Sequence, residues 1–224
     1  QRIHGDDEKA CQCANHDHQQ HGQWYPLEAL LPKLRGRKQL DQESLQSLEV
    51  RVGLARLEAA ADAAALEEAW QAVGKELRRQ PRMLEGYARA AFRVGAHAQA
   101  EAVLRKALKS TWQPALVAHY GRLESADPAA QLATAEKWLN ERPEDAELLL
   151  TCGRLCLKNQ LWGKARSYLE TSLAIRPHPE TWQIYGELLV QLGESGAASE
   201  AFRQGLAAAS GVAPALAPPA AARS

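Results

Sequence analysis

The chain has 224 residues, enough for one or two domains with a substantial core. Alanine supplies 42 positions and leucine 31, whereas valine, isoleucine and threonine together supply 16, so a mainly β fold is excluded in favour of an all-α one. Lys+Arg and Asp+Glu are equal at 27 each; the zero net charge argues against a general nucleic-acid binder, though not against a local basic patch.

Residues 1–21 hold four of the seven histidines and two of the four cysteines, with almost no apolar periodicity, and are expected to be poorly ordered. His4, Cys11, Cys13, His16, His18 and His21 are ligand types that suit zinc, copper or haem iron. Their Cys-x-Cys and His-x-His spacing matches no common structural zinc site, so no metal is assigned. No stretch here or later approaches the ~20 apolar residues that span a bilayer. No signal-peptide h-region is visible either. The chain starts at Gln1 rather than Met and is read as a fragment, with an upstream membrane anchor left open.

From Gly22 to about residue 210 the chain reads as a repeat. Gly22, Trp24, Leu27 and Leu31 look like the second helix of a first unit. A small residue then recurs at Gly53, Ala88, Gly121, Gly153 and Gly186, in steps of 35, 33, 32 and 33. A second signature follows four of them: Ala69 with Val73, Ala100 with Leu104, Ala165 with Leu169, and Ala198 with Phe202. Repeat 114–143 is two residues short between its helices. Large residue, small residue, then Ala-x3-Leu/Phe and a proline is the tetratricopeptide pattern, predicting an α-solenoid of about five to six helix pairs. The small residues, Ala165 and Ala198 among them, let the two helices of a unit approach closely. Pro81, Pro143 and Pro177 mark junctions between units. Residues 211–224, with Pro214, Pro218 and Pro219, are expected to form a disordered Pro/Ala-rich tail.

One segment is more specific than a generic repeat. It runs Leu148-Leu149-Leu150-Thr151-Cys152-Gly153-Arg154-Leu155-Cys156-Leu157-Lys158-Asn159-Gln160-Leu161-Trp162-Gly163-Lys164-Ala165-Arg166-Ser167-Tyr168-Leu169-Glu170. With Leu30-Leu31-Pro32-Lys33-Leu34-Arg35, Tyr120-Gly121 and Glu136-Lys137-Trp138-Leu139, it resembles the HemY-type tetratricopeptide proteins of proteobacteria, associated with protohaem biosynthesis. The resemblance covers roughly residues 22–207. It implies a scaffold for late haem-pathway enzymes, without established catalytic residues. It also implies attachment to the bacterial inner membrane through two N-terminal helices that this chain lacks, with the repeat domain facing the cytoplasm. The same label is used for an unrelated flavin-dependent oxidase. That reading is excluded because the chain has no Gly-x-Gly-x-x-Gly following a strand.

The candidate binding site is an arginine ladder. Arg89, Arg122 and Arg154 each follow the small position of the first helix, in steps of 33 and 32, and Arg82, Arg93 and Lys158 lie on nearby turns of the same face. Guanidinium groups in a row on one wall of a groove favour carboxylates, either an acidic peptide or the propionates of a porphyrin. The bland alternative pairs them with Glu85 or Glu124 as ordinary surface charge. Cys152 and Cys156, four apart on one helix, are read as small core residues rather than metal ligands. Trp24, Trp70, Trp112, Trp138, Trp162 and Trp182 are read as core or inter-repeat packing. The expectation is a non-catalytic protein-interaction scaffold with no obligatory cofactor. The alternatives are a direct tetrapyrrole carrier using the groove arginines, and a generic adaptor for envelope assembly.

Overall fold

The computed structural model describes residues 42–211. The Cys/His-rich segment 1–21, the helix expected near Trp24–Leu31 and the tail from residue 212 onward lie outside the described residues. The described residues contain ten α-helices and no strand. None of these helices is long and apolar enough to cross a membrane. They fall into two compact units that divide after Ala100.

The first unit holds α1 (Gln42–Ala59), α2 (Ala63–Ala72), a 3-10 turn (Leu77–Arg79), α3 (Pro81–Val94) and the start of α4 (His97–Ser110). Asp62 caps α2 by accepting from the Ala65 amide at 2.8 Å, and Pro81 opens α3 where its missing N–H costs nothing. Helices α1, α2 and α3 pack on one another. A Cβ at Gly53 of α1 would lie 2.9 Å from Met83 Cε of α3, and one at Gly86 of α3 would collide with Leu54 of α1. The two backbones therefore approach where neither glycine has a side chain. The Trp70 and Tyr87 rings stack at 4.3 Å, and burial, with the nearby Glu67 charge, pushes the Tyr87 phenol up to about 12.

The second unit holds the rest of α4 and then α5 (Pro114–Arg122), α6 (Pro128–Glu141), α7 (Ala146–Lys158), α8 (Trp162–Ile175), α9 (Pro179–Gln191) and α10 (Ser195–Ala209). Asp127 and Asp145 cap α6 and α7, while Pro114, Pro128 and Pro179 open α5, α6 and α9. Helix α7 packs on α6 and α8, α9 on α8 and α10, and the first helices of successive units also touch, α5 on α7 and α7 on α9. Two rows of helices result, as the repeat predicts.

The small positions sit at close contacts, but not all against the same neighbour. A Cβ at Gly153 would lie 2.7 Å from Leu169 Cγ, and one at Gly186 would lie 2.5 Å from the Phe202 ring, both on the second helix of the same unit. Gly121 instead faces Thr151 Cγ2 at 2.9 Å, on the first helix of the next unit. Ala165 and Ala198 are buried.

The short repeat appears as the nine-residue α5, whose early end leaves carbonyl oxygens in the interior. The buried Gln131 amide donates to the carbonyls of Tyr120 at 2.8 Å and Leu123 at 3.4 Å, and Lys158 Nζ donates to Leu123 at 2.6 Å. The turn after α7 has its own irregularity. Gly95 and Gly193 close α3 and α9 with φ of 72° and 76°, and Gln160 stands at the equivalent place after α7 with φ 59°. A side chain in the left-handed region is strained.

Candidate functional site

The row of first helices in the second unit brings two of the ladder arginines together. Arg122 lies in the last turn of α5, Arg154 in the middle of α7, and both reach forward to the first turn of α9. There Arg122 Nη2 donates to both carboxylate oxygens of Glu180, at 2.7 and 2.9 Å, and Arg154 Nη2 donates to Oε1 at 2.8 Å. The Arg122 side chain is 42% exposed and the Arg154 side chain 13%. One carboxylate thus serves two guanidinium groups, and the cluster keeps a surplus positive charge. Arg154 Nε is buried without a partner.

Burial works against ionisation of Glu180, yet the bonds from Arg122 and Arg154 outweigh it and hold this carboxyl below its ordinary value. One repeat earlier stands Glu147, whose carboxyl is pushed up by burial and by the Glu180 charge, against the opposing pull of Arg176, His178 and Arg154. Arg176 lies 3.4 Å from it.

The remaining ladder residues are used differently. Arg93 Nη2 donates to the carbonyls of Leu57, Glu58 and Ala60, at 3.4, 2.9 and 2.8 Å, capping the end of α1. Lys158, two repeats on, does the same work on Leu123. Both were expected on the groove face as ligand-binding cations; each instead satisfies the carbonyl end of a preceding helix. Arg82 and Arg89, in the first unit, are exposed and make no ion pair among the described residues. Glu180 does not stand out in the sequence because it lies 58 residues from Arg122 and 26 from Arg154. The available signal was its repeat relation to Glu147, 33 residues earlier, in the first turn of a first helix.

Cys152 and Cys156 are fully buried and free, with burial raising both thiols, Cys156 to about 11. Both are inert core residues. The described residues contain no group of three potential metal ligands, and the N-terminal Cys/His cluster lies outside them. Trp70 and Trp138 are buried, and Trp112 packs edge-on to Trp138 while its Nε1 donates to Asp145 at 2.8 Å. Trp162 departs from the packing expectation, being 37% exposed. The groove between α6 and α8 is lined by the exposed Lys137 and Asn140 and by the Glu136 carboxylate, which is shared by Lys164 at 3.0 Å and Tyr168 at 2.9 Å.

This helix arrangement has counterparts among solved structures. The chain is similar to TTC0263, described as a thermophilic TPR protein of Thermus thermophilus, with a TM-score of 0.54 and 20% identity over 74% of this chain and 92% of the other. It is also matched by MamA from Desulfovibrio magneticus RS-1, at a TM-score of 0.48 and 16% identity over 74% of this chain and 96% of that one. The first likeness establishes the fold as a tetratricopeptide-like helical solenoid. No protein-family model and no curated protein matches the chain.

Proposed function

We propose that the chain is a non-catalytic protein-interaction scaffold whose face formed by α5, α7 and α9, in the second unit, receives an acidic segment of a partner protein. The observation supporting this is the single carboxylate held between Arg122 and Arg154, the same group that an acidic segment would present. Arg122 is the more exposed of the two, so an incoming acid replaces Glu180 there first, while Arg154 retains it. Each charge-assisted bond contributes about 1.5–3 kcal/mol, offset by the intramolecular bond it displaces.

A fluorescein-labelled hexaglutamate peptide tests the reading. Changing Arg122 and Arg154 together to alanine is expected to weaken its binding tenfold or more with helical content preserved, and added salt is expected to weaken the parent interaction. Unchanged affinity in the double variant would remove these arginines from the binding face.

The finer reading rests on the HemY-type resemblance alone. On it, the partners are late haem-biosynthesis enzymes, met at the bacterial inner membrane through a segment outside this chain. Affinity capture from solubilised membranes tests it: enrichment of those enzymes by the parent and not by the double variant supports the assignment, and enrichment of general envelope proteins favours a generic adaptor. A Soret band that saturates on haem titration would favour the tetrapyrrole carrier instead.

A further inference from the structure

Trp162 begins α8 and keeps 37% of its surface exposed. It lines a hollow of about 290 Å³ with Leu157 of α7 and with Glu187, Leu188 and Gln191 of α9. These three helices pack on one another, so the hollow lies inside the array rather than at its end. Tryptophan is enriched where protein surfaces meet, because one ring supplies a large rigid contact.

Glu187 is the charged group of the lining, and its partner among the described residues is the Gln183 amide, which donates at 3.0 Å. The cations flanking Leu157 on α7 are used elsewhere, Arg154 on Glu180 and Lys158 on the Leu123 carbonyl. An indole, two leucines and a carboxylate in one hollow match a side chain with an apolar stem and a cationic head. Arginine suits it better than lysine, since its planar guanidinium both stacks on an indole and grips a carboxylate. The Gln191 amide oxygen can accept a further guanidinium N–H.

The hollow is tied to the arginine face through α9. Glu187 and Gln191 follow Glu180 by seven and eleven residues, two and three helical turns, so all three share one stripe of α9. At one end of that stripe Glu180 sits in the Arg122–Arg154 cluster, which holds surplus positive charge. At the other, about 10 Å along the axis, the hollow holds an acid. A uniformly acidic segment lying along α9 would set one of its carboxylates against Glu187, whereas a segment carrying both signs would satisfy both ends.

We propose that the Trp162–Glu187 hollow receives an arginine side chain of the partner segment, about 10 Å from the acid that meets Arg122. This rests on the acidic-segment reading and adds the second half of the motif. In a polyproline II segment, which rises about 3.1 Å per residue with three residues per turn, the acid and the arginine stand three positions apart on one edge.

A fluorescein-labelled peptide Glu-Pro-Pro-Arg-Pro-Pro-Glu has that spacing in either direction of binding, and replacing its arginine by citrulline keeps the shape and removes the charge. Titrated with the 224-residue chain, the arginine peptide is expected to bind about fivefold or more tightly than the citrulline peptide. Glu187→Gln and Trp162→Leu in the chain should each erase that preference while leaving the citrulline peptide's affinity within twofold, a pattern that general destabilisation does not produce. Circular dichroism checks that both variants are folded. Equal binding of the two peptides to the parent overturns the inference, as does a preference that survives both substitutions. It is also overturned if neutralising Lys33, Arg35, Arg37 and Lys38 to glutamine raises the arginine peptide's affinity tenfold, which would make the chain's own basic segment the occupant. If the preference is absent but hexaglutamate still binds through Arg122, the acidic-segment reading stands and the hollow alone fails; if hexaglutamate does not bind either, both fall.

Discussion

Adding one methyl group at Gly153 and at Gly186 should have different consequences, although the two glycines share a repeat position. At Gly153 the new Cβ would lie 2.7 and 2.8 Å from Leu169 Cγ and Cδ2, about an ångström inside ordinary carbon contact. Leu169 is completely buried and has no open space to move into. Alanine gains about 1 kcal/mol of helix propensity over glycine, while overpacking a filled interior costs about 1–3 kcal/mol. Gly153→Ala should therefore destabilise by roughly 1–2 kcal/mol, and Gly153→Leu by considerably more. At Gly186 the clash is nominally closer, 2.5 Å to the Phe202 ring, but that ring is 37% exposed and can swing outward. Here the propensity gain nearly cancels the cost, and Gly186→Ala should lie within about 0.5 kcal/mol of the parent. Urea titrations of both variants, with Leu169→Ala added to Gly153→Ala, measure the difference. The double variant should lose about 1–2 kcal/mol less than the sum of its parts, because the shortened side chain vacates the space the methyl needs. Equal effects at the two glycines, or strict additivity in the cycle, would refute the packing argument.

Other consequences can be measured in the same way. Glu180→Gln should destabilise by about 1–2 kcal/mol at neutral pH by leaving two guanidinium groups short of a counter-charge at a partly exposed site. Because the Glu180 carboxyl is held below its ordinary value, its stabilisation is present at neutral pH and fades as acid titrates it through its folded value, so the variant's melting temperature should fall less steeply than the parent's below about pH 4.5. Glu147 has the opposite sign: its raised carboxyl favours folding in acid and loses that contribution as pH rises, so Glu147→Gln should be neutral or stabilising at pH 7 by thermal melt. Gln160→Gly should raise stability by about 0.5–1 kcal/mol by relieving a left-handed residue at a place where Gly95 and Gly193 already stand. Cys152 and Cys156 should resist iodoacetamide in the native protein and react fully only in denaturant, as mass spectrometry would show.

The solenoid was legible in the sequence because its unit is local. A glycine, an alanine and a large apolar residue at fixed offsets state which helix faces meet, and Gly153 against Leu169 is such a contact. The short repeat was legible as two residues missing between its helices, but the shortening of α5 itself and its remedy were not. Gln131 and Lys158 reach its stranded carbonyls from two different helices, and nothing in a glutamine's neighbours marks it as buried. The arginine ladder had the same limit. Spacing placed Arg122 and Arg154 on one face, whereas their shared partner depended on how far one repeat rotates against the next. That rotation brings the first turn of α9 to both arginines and makes Glu180 their counter-ion rather than Glu85 or Glu124. Arg93 and Lys158 resembled ligand-binding cations because a cation at the end of a helix reads alike whether it faces solvent or the carbonyls of its neighbour.

The arginine-face account is tested most directly by the affinity of the hexaglutamate peptide for the Glu180→Gln chain beside the parent. If Glu180 occupies a place that an acidic partner takes, removing its charge releases Arg122 and Arg154. Affinity should then rise at least fivefold at low ionic strength, the gain should shrink with added salt, and Arg122→Ala in the same background should abolish it. An affinity unchanged or lowered by Glu180→Gln, in a chain shown by circular dichroism to be folded, would contradict the account and leave the Arg122–Glu180–Arg154 cluster as a purely structural clamp between repeats.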